Sequence, residues 1–317
     1  MSENIEHSIA PRLEHDVYQF YFDVRCNKPR SEQSYEEYEK ELMQKWVKYF
    51  SEYFKDWNFM LTYCQEFEFS FWINCFNNAY ISTKMEINKE LIFLEPVEPN
   101  EIKKLIQNTL NKLKQLFKTT GFIEDLQQKN CKYEKRIAKI QKDYSEVSKL
   151  SVDAPDLKFY LVYKDGFDVI KDIQNVVKEF RVFLTLLKSQ RWYHSKVIFT
   201  FYQVVKVSKQ KHYAIRFYLT IHKSFYSQEI DYLQLLNQLW ERATTYLGVI
   251  HANEKITTNE SLALDSNENP FVITDEPMSA LENLDILPSS LTAVRQNEEK
   301  LCISVKGFKD FDGFSRP

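Results

Sequence analysis

The side chains best suited to metal binding or catalysis are scattered along this sequence. Its six histidines form neither HExxH nor His-x-His. His212 and His222 share one face of a strand, but an extended strand separates them by about 33 Å. No GxSxG motif is present, and the carboxylates Glu66 and Glu68 are more typical of a solvated surface than of a catalytic pair. We therefore predict no metal and no cofactor.

Glycine and cysteine spacing excludes further kinds of chemistry. The five glycines stand too far apart for GxGxxG or GxxxxGK[ST], so the common phosphate-binding loops are absent. The five cysteines include no CxxC pair, which argues against a zinc knuckle or a disulfide framework. There is no apolar signal core near the first residue and no apolar run of about 18 residues. These features favour a cytoplasmic protein without a membrane partner.

Tyrosine hydroxyls are the remaining candidate nucleophiles. Beyond the central strands the sequence contains Tyr226, Tyr232 and Tyr246. Tyr232 precedes Leu236 by four residues and Tyr246 follows Ala243 by three, so both fit the apolar stripe of a helix. Tyr226 falls in a turn and is the best of the three candidates. We predict no catalytic residue.

The elements that must position these side chains change character near Pro155. Before it, apolar residues recur at helical spacing, including a single stripe over 35–57, while the segment 67–80 fits a strand or a helix equally well. After it, the patterns predict a strand at 158–163, a helix at 167–190, strands at 196–207 and 212–222, and a helix at 228–247. This β-α-β-β-α order predicts an α+β fold, in which an antiparallel sheet layer follows an N-terminal helical domain.

Composition divides the chain into four predicted segments. They are a mostly helical, aromatic-rich domain at 1–152, an α+β core at 156–251, an acidic linker or poorly ordered segment at 252–300, and a C-terminal strand and tail at 301–317. Residues 301–305 are expected to add an edge strand to the central sheet. Residues 157–251 carry 14 basic and 7 acidic side chains, whereas 252–300 carry 3 and 10. The acidic segment is therefore expected to shield the basic core.

Side chains of the central hairpin alternate in a way that predicts a binding surface. In the second strand the apolar residues, among them Phe217, occupy odd positions and should face the helices. A five-residue loop at 208–212 would set Tyr202 opposite Tyr218 on the other, open face. Rings there would stack on unpaired bases while cations bind phosphates. The predicted nucleic-acid-binding residues are Tyr202, Lys206, Lys209, Lys211, His212, Arg216 and Tyr218. An antiparallel sheet with one solvated side explains the same pattern.

Two stretches of this region carry a family resemblance. The block SKVIFTFYQVVKVSKQKHYAIRFYLTIHKS, followed by LWERATTYLGVIHAN, contains Trp240, Gly248 and Asn253. The chain closes with KGFKDFDGFSRP. Over about 157–253 and 306–317 the sequence resembles the inovirus-type replication proteins of bacteria, the YagK/YfjJ family, which is related to rolling-circle replication initiators.

The resemblance implies a DNA-binding fold, but two functional features of the family are missing. Where the family has a histidine pair that binds metal, this sequence has His212, Tyr213 and Ala214. The family's nucleophilic tyrosine would follow the Trp240 helix, yet residues 247–317 contain no tyrosine. The resemblance therefore implies that the DNA-binding platform is kept and the nuclease is lost.

Three functions follow as hypotheses. The first is a replication-initiator-like DNA-binding protein of a bacterial mobile element or prophage, without nuclease activity, which binds single-stranded or duplex DNA. The second is a phage- or prophage-encoded factor that binds a protein partner through its helical domain and acidic tail. The third is an active tyrosine-dependent DNA nicking enzyme.

Overall fold

The protein combines helices with antiparallel sheets, which confirms the predicted α+β class. The computed structural model describes residues 5–26, 34–64, 67–87, 98–150, 156–164, 172–207, 212–227, 229–252, 298–299 and 301–315. The chain divides into two compact units, Met1–Asn130 with Leu301–Gly307 and Cys131–Lys300 with Phe308–Pro317. This division differs from the predicted domains, since the first unit ends within a long helix and includes a segment from near the end of the chain.

The first unit is built mainly from helices. Its elements are a π-helical turn Ile5–Ile9, α1 Ala10–Cys26, α2 Tyr35–Glu52, α3 Phe54–Tyr63, β1 Phe67–Phe69, α4 Phe71–Ile87, α5 Pro99–Phe117 and the beginning of α6 Thr120–Leu150. Ser34 caps α2: its hydroxyl accepts a hydrogen bond from the Glu37 N–H at 3.2 Å, and the Glu37 carboxylate accepts one from the Ser34 N–H at 3.3 Å. This reciprocal pair satisfies N–H groups that a helix start leaves without partners.

Aromatic side chains fill the core of the first unit. Trp57 is fully buried, and its ring meets that of Phe76 edge-on with the centroids 5.0 Å apart. This arrangement is favoured by the charge distribution of aromatic rings. The prediction of one helical stripe over 35–57 is wrong in one respect, because α2 ends at Glu52 and Trp57 belongs to α3.

The segment 67–80 contains both kinds of structure that its sequence allows. The strand β1 is followed directly by α4, and β1 pairs antiparallel with β7 Ile303–Val305. The prediction that 301–305 joins the central sheet is therefore wrong. The strand that joins the edge of the central sheet is β8, Phe311–Ser315.

The second unit is organised around an antiparallel central sheet. Its elements are the remainder of α6, β2 Asp156–Tyr163, α7 Ile173–Lys188, α8 Arg191–Lys196, β3 Val197–Val207, β4 His212–Ile221, a 3₁₀ turn Lys223–Phe225, α9 Tyr232–Ala243, β5 Gly248–Ala252, β6 Glu298–Glu299 and β8. The described strands lie in the order β5, β2, β4, β3, and both β6 and β8 pair with the free edge of β3. The β-α-β-β-α order is confirmed. The helix α8 and the strands β5, β6 and β8 are additions to it.

The register of the β3–β4 hairpin differs from the prediction. Tyr202 pairs with Phe217, so even positions of β3 lie on the same side as odd positions of β4. Val207 pairs with His212, which leaves the four residues 208–211 between the strands instead of five. A change of one residue in loop length moves the β3 side chains from Phe199 to Val207 to the opposite face, whereas an irregularity between Val197 and Phe199 leaves Val197 opposite Ile221.

Helices cover both faces of this sheet. On one face the ring of Phe217 meets that of Phe183 in α7 edge-on at 5.6 Å. On the other face the hydroxyl of Tyr218 lies 2.8 Å from that of Tyr144 in α6. The predicted burial of Phe217 is confirmed. The prediction of an open second face is wrong, because the carboxyl-terminal half of α6 packs there.

The predicted acidic segment 252–300, which includes Asn253, lies mostly outside the described residues. Its end is described: Glu298 and Glu299 form β6 and pair with the end of β3. In the described part of the chain, no helix has the length and apolar character needed to cross a membrane.

Candidate nucleic-acid interface

The seven residues predicted to bind nucleic acid do not form one exposed face. Lys209 and Lys211 lie outside the described residues, and of His212 the structure describes the backbone pairing with Val207. The other four are buried: Tyr202, Lys206, Arg216 and Tyr218. The exposure predicted for these four is wrong: α7 covers Tyr202, α6 covers Tyr218, and Arg216 bonds to the neighbouring strands.

Arg216 is held inside the sheet between two neighbouring strands. It is 3% exposed, and its guanidinium donates hydrogen bonds to the Tyr160 hydroxyl and to the Gln203 side-chain oxygen, each at 3.3 Å. Tyr160 in β2 and Gln203 in β3 are its direct cross-strand neighbours. A buried guanidinium needs such acceptors, since an unsatisfied buried charge is strongly destabilising. The polar contacts of Arg216 therefore support strand pairing.

Tyr202 and Tyr218, predicted to share one face, lie on opposite faces. The Tyr202 ring meets Phe180 of α7 with the centroids 4.9 Å apart, whereas Tyr218 contacts α6. Burial, with Asp312 nearby, raises the pKa of Tyr202 to about 12. Burial and the neighbouring Asp156 also raise the pKa of Tyr218 above the ordinary tyrosine value. Both hydroxyls are therefore held in the neutral form.

These buried tyrosines predict how the protein responds to alkali. A group whose pKa is raised by folding stabilises the folded state below its unfolded pKa of about 10, and this stabilisation is lost as the pH rises through the folded pKa. We expect unfolding between about pH 10 and the raised pKa of Tyr202, about 12. Tyrosinate absorbance and near-ultraviolet circular dichroism should change together. Complete tyrosine ionisation before the circular dichroism changes would contradict this prediction.

The three candidate nucleophiles occupy different environments. Tyr232 begins α9 and is buried, as its spacing predicts. Tyr246, predicted to pack on the helix stripe, is 69% exposed, because α9 ends at Ala243 and Tyr246 has a φ of 69°. Tyr226 is 39% exposed and lies in the connection between β4 and α9. Of these three residues, Tyr226 and Tyr246 are accessible to a substrate.

A different surface combines exposed rings with cations. It lies where α8 meets the connection between β4 and α9, and we call it the basic aromatic end. Its residues are Trp192, Lys196, Lys223, Phe225 and Tyr226. The His222 N–H donates to the Lys196 carbonyl at 2.8 Å, and the His222 Nδ1 accepts from the Ser224 N–H at 3.2 Å. These bonds hold the backbone of the connection against α8.

The buried ring of Tyr232 is the support on which this end is assembled. The Tyr226 ring stacks on it, with centroids 5.7 Å apart and planes inclined by 25°. Trp192 lies 5.4 Å away between centroids, and the Lys196 ammonium donates to the Tyr232 hydroxyl at 3.3 Å. Next to Tyr226, the side chain of Phe225 is 52% exposed. The Tyr226 ring is thus held on Tyr232 and the Phe225 ring lies against His222, at 5.2 Å between centroids, while both side chains reach solvent.

The charge of this end has a simple origin in the sequence. Residues 180–228 contain nine lysines and arginines and not one aspartate or glutamate. Two of the nine, Lys206 and Arg216, are buried. The exposed cations of the run include Lys188, Arg191 and Lys223. The absence of acidic residues over 180–228 is easily missed in sequence analysis, because the net charge of the larger segment 157–251 also counts seven acidic residues that lie outside this run.

The basic aromatic end is suited to holding a polyanion with flat rings. Aromatic side chains stack on bases of any sequence, and cations displace the counterions of phosphates. Among the residues that the structure describes, no three histidine, cysteine, aspartate or glutamate side chains come together where they could hold a metal ion.

Comparison of the chain with protein-family models, with curated proteins and with solved structures finds no match. The structure therefore assigns this protein to the α+β fold class.

Proposed function

We propose that this protein binds DNA and that the basic aromatic end receives unpaired bases. The observation that carries the proposal is the exposure of two consecutive aromatic residues, Phe225 and Tyr226, in a run without carboxylates. Stacking of a base on such a ring contributes about 1–3 kcal/mol. Because paired bases in a duplex are already stacked on each other, this gain favours single-stranded DNA.

The sequence resemblance supports a narrower form of the proposal. In this form the protein is a cytoplasmic, replication-initiator-like DNA-binding protein of a bacterial mobile element or prophage, and it lacks nuclease activity. The basic aromatic end falls within 157–253, the block that carries the resemblance. The antiparallel sheet and the β-α-β-β-α order are compatible with this form.

Binding of a labelled single strand, measured by fluorescence anisotropy at several salt concentrations, tests the proposal. We expect Phe225→Ala and Tyr226→Ala each to lower the affinity about 5- to 150-fold, the factor that corresponds to the stacking of one base. The affinity of the unsubstituted protein should fall steeply with salt, because phosphate binding releases counterions.

Tyr246→Ala is the matched control, since it removes another exposed tyrosine of the same unit. Tyr246 lies beyond the far end of α9 from Tyr226, and we expect its replacement to leave the affinity unchanged. Thermal unfolding of each variant checks that the fold is intact. Equal affinities of all three variants would refute the basic aromatic end as the site. Absence of DNA binding at low salt would favour a factor that binds a protein partner.

The nicking-enzyme alternative predicts a separate outcome. Tyr226→Phe keeps the ring that stacks but removes the hydroxyl that would attack a phosphate. We expect this variant to bind as well as the unsubstituted protein, and neither protein to form an adduct with DNA that survives denaturation. An adduct that forms with the unsubstituted protein and disappears in Tyr226→Phe would establish an enzyme instead.

A further inference from the structure

The carboxyl-terminal half of α6 carries lysines along its outer face. The exposed members are Lys132, Lys135, Lys139, Lys142 and Lys149, and we call them the lysine stripe. At 3.6 residues per turn, they fall within an arc of about 100° around the helix axis. Ile140, Tyr144 and Val147 are buried and occupy a second arc of the same helix. Its centre lies about 140° around the helix axis from the centre of the lysine stripe.

The buried face fixes the orientation of this helix in the second unit. Tyr144 meets the Phe199 ring at 5.1 Å between centroids, and its hydroxyl contacts that of Tyr218. A Cβ added to Gly313 would lie only 2.8 Å from the Ile140 side chain, so helix and strand approach closely there. Because this face is packed against the sheet, the lysine stripe is held toward solvent.

The described residues neutralise little of this charge. Within the described residues, the stripe forms one ion pair, in which the Lys142 ammonium lies 3.9 Å from the Glu146 carboxylate. Both side chains are largely exposed, at 75% and 58%. Exposed pairs of this kind contribute about 0–1 kcal/mol and exchange readily with other ions. The stripe is therefore able to bind an external polyanion.

We infer that the lysine stripe binds the phosphate backbone of double-stranded DNA. It extends about 26 Å along the helix, at 1.5 Å per residue, and a duplex offers about one negative charge for every 1.7 Å of its axis. The lysines therefore face a high density of phosphates. Contacts of this kind position a protein on a duplex without reading its sequence.

The side chains between the lysines favour a duplex over a single strand or a membrane. Tyr133, the exposed ring in this part of α6, lies about 100° from Lys132 around the helix and packs against Phe311 at 5.1 Å. The stripe therefore offers no ring on which an unpaired base would stack. It also lacks the bulky apolar side chains with which interfacial helices enter a lipid surface.

The inference depends on α6 and not on the basic aromatic end, so either can fail without the other. The test is binding of a short blunt-ended DNA duplex over a series of salt concentrations. We expect replacement of Lys132, Lys135, Lys139 and Lys142 by glutamine to weaken binding at least tenfold at low salt. The slope of log affinity against log salt should become shallower by about 0.9 for each phosphate that the variant no longer neutralises.

A matched control removes the same charge from the first unit. Glutamine replaces four exposed lysines of α2 and α5: Lys40, Lys48, Lys103 and Lys104. We expect the control to keep the salt slope of the unsubstituted protein, and Phe225→Ala with Tyr226→Ala to keep its duplex affinity. Circular dichroism checks the helix content, which glutamine should preserve.

Three outcomes would overturn the inference. An unchanged slope in the stripe variant would show that the stripe binds no phosphates. An equal loss of affinity in the control would assign the effect to overall charge. Binding to anionic phospholipid vesicles that depends on the stripe, with duplex binding unaffected, would assign the stripe to a membrane surface.

Discussion

Replacing Phe217 by alanine should lower the free energy of unfolding of the second unit by about 3–5 kcal/mol, the usual cost of removing a buried aromatic ring. Phe217 is fully buried, and its ring stacks on Phe159 at 5.3 Å between centroids. Phe180 and Phe183 of α7 meet the same ring edge-on at 6.0 and 5.6 Å. Because a strand and a helix fix this cluster, the cavity cannot close easily.

Phe225→Ala provides the same chemical change at a position that is 52% exposed. We expect its stability to stay within about 0.5 kcal/mol of that of the unsubstituted protein. Urea denaturation followed by circular dichroism measures both variants. Similar losses of stability in the two variants, or a loss below about 1 kcal/mol for Phe217→Ala, would contradict the burial of Phe217.

The burial of Phe217 could be predicted because it depends on a local pattern. Apolar residues alternate along β4, and strand geometry alone places them on one face. Whether the other face is buried or exposed depends on α6, a helix far away in sequence. Arg216 and Tyr218 have the composition of a solvated surface, yet hydrogen bonds with Tyr160 and Tyr144 allow both to be buried. Local patterns carry no information about such partners.

The hairpin register depends on a loop length that composition does not determine. The polar residues 208–211 suit a turn whether it contains four or five residues. The observed pairing of Val207 with His212 puts Tyr202 against Phe180, away from Tyr218. A predicted surface that needs both tyrosines on one face therefore fails through a difference of one residue.

Part of the candidate site could be predicted, and part depends on tertiary contacts. The absence of carboxylates over 180–228 is visible in the sequence and indicates a basic surface. The exposure of Phe225 and Tyr226 depends on how the connection after β4 is held, with the His222 N–H bound to the Lys196 carbonyl. That hydrogen bond joins residues far apart in sequence, and periodicity does not reveal it.

Replacing Gly248 by alanine should destabilise the second unit by about 1–3 kcal/mol, because an added methyl group overfills a packed site. A Cβ at Gly248 would lie 2.5 Å from both Cδ1 and Nε1 of Trp240 and 2.6 Å from the Thr244 hydroxyl. Trp240 is fully buried, and its Nε1 donates a hydrogen bond to the Val162 carbonyl at 2.8 Å. The ring therefore cannot move without breaking this bond. Thermal and urea unfolding measure the decrease in stability.

Two further variants make the steric cause testable. Gly121→Ala adds the same methyl group near the start of α6, where nothing lies within 4 Å, and should stabilise slightly because alanine is the better helix former. Trp240→Phe removes the Nε1 hydrogen bond that holds the ring in place, so the ring can move away from an added Cβ, and we expect Gly248→Ala to cost less in that background than alone. Equal costs in both backgrounds would attribute the effect to the backbone of Gly248 and not to its contact with Trp240.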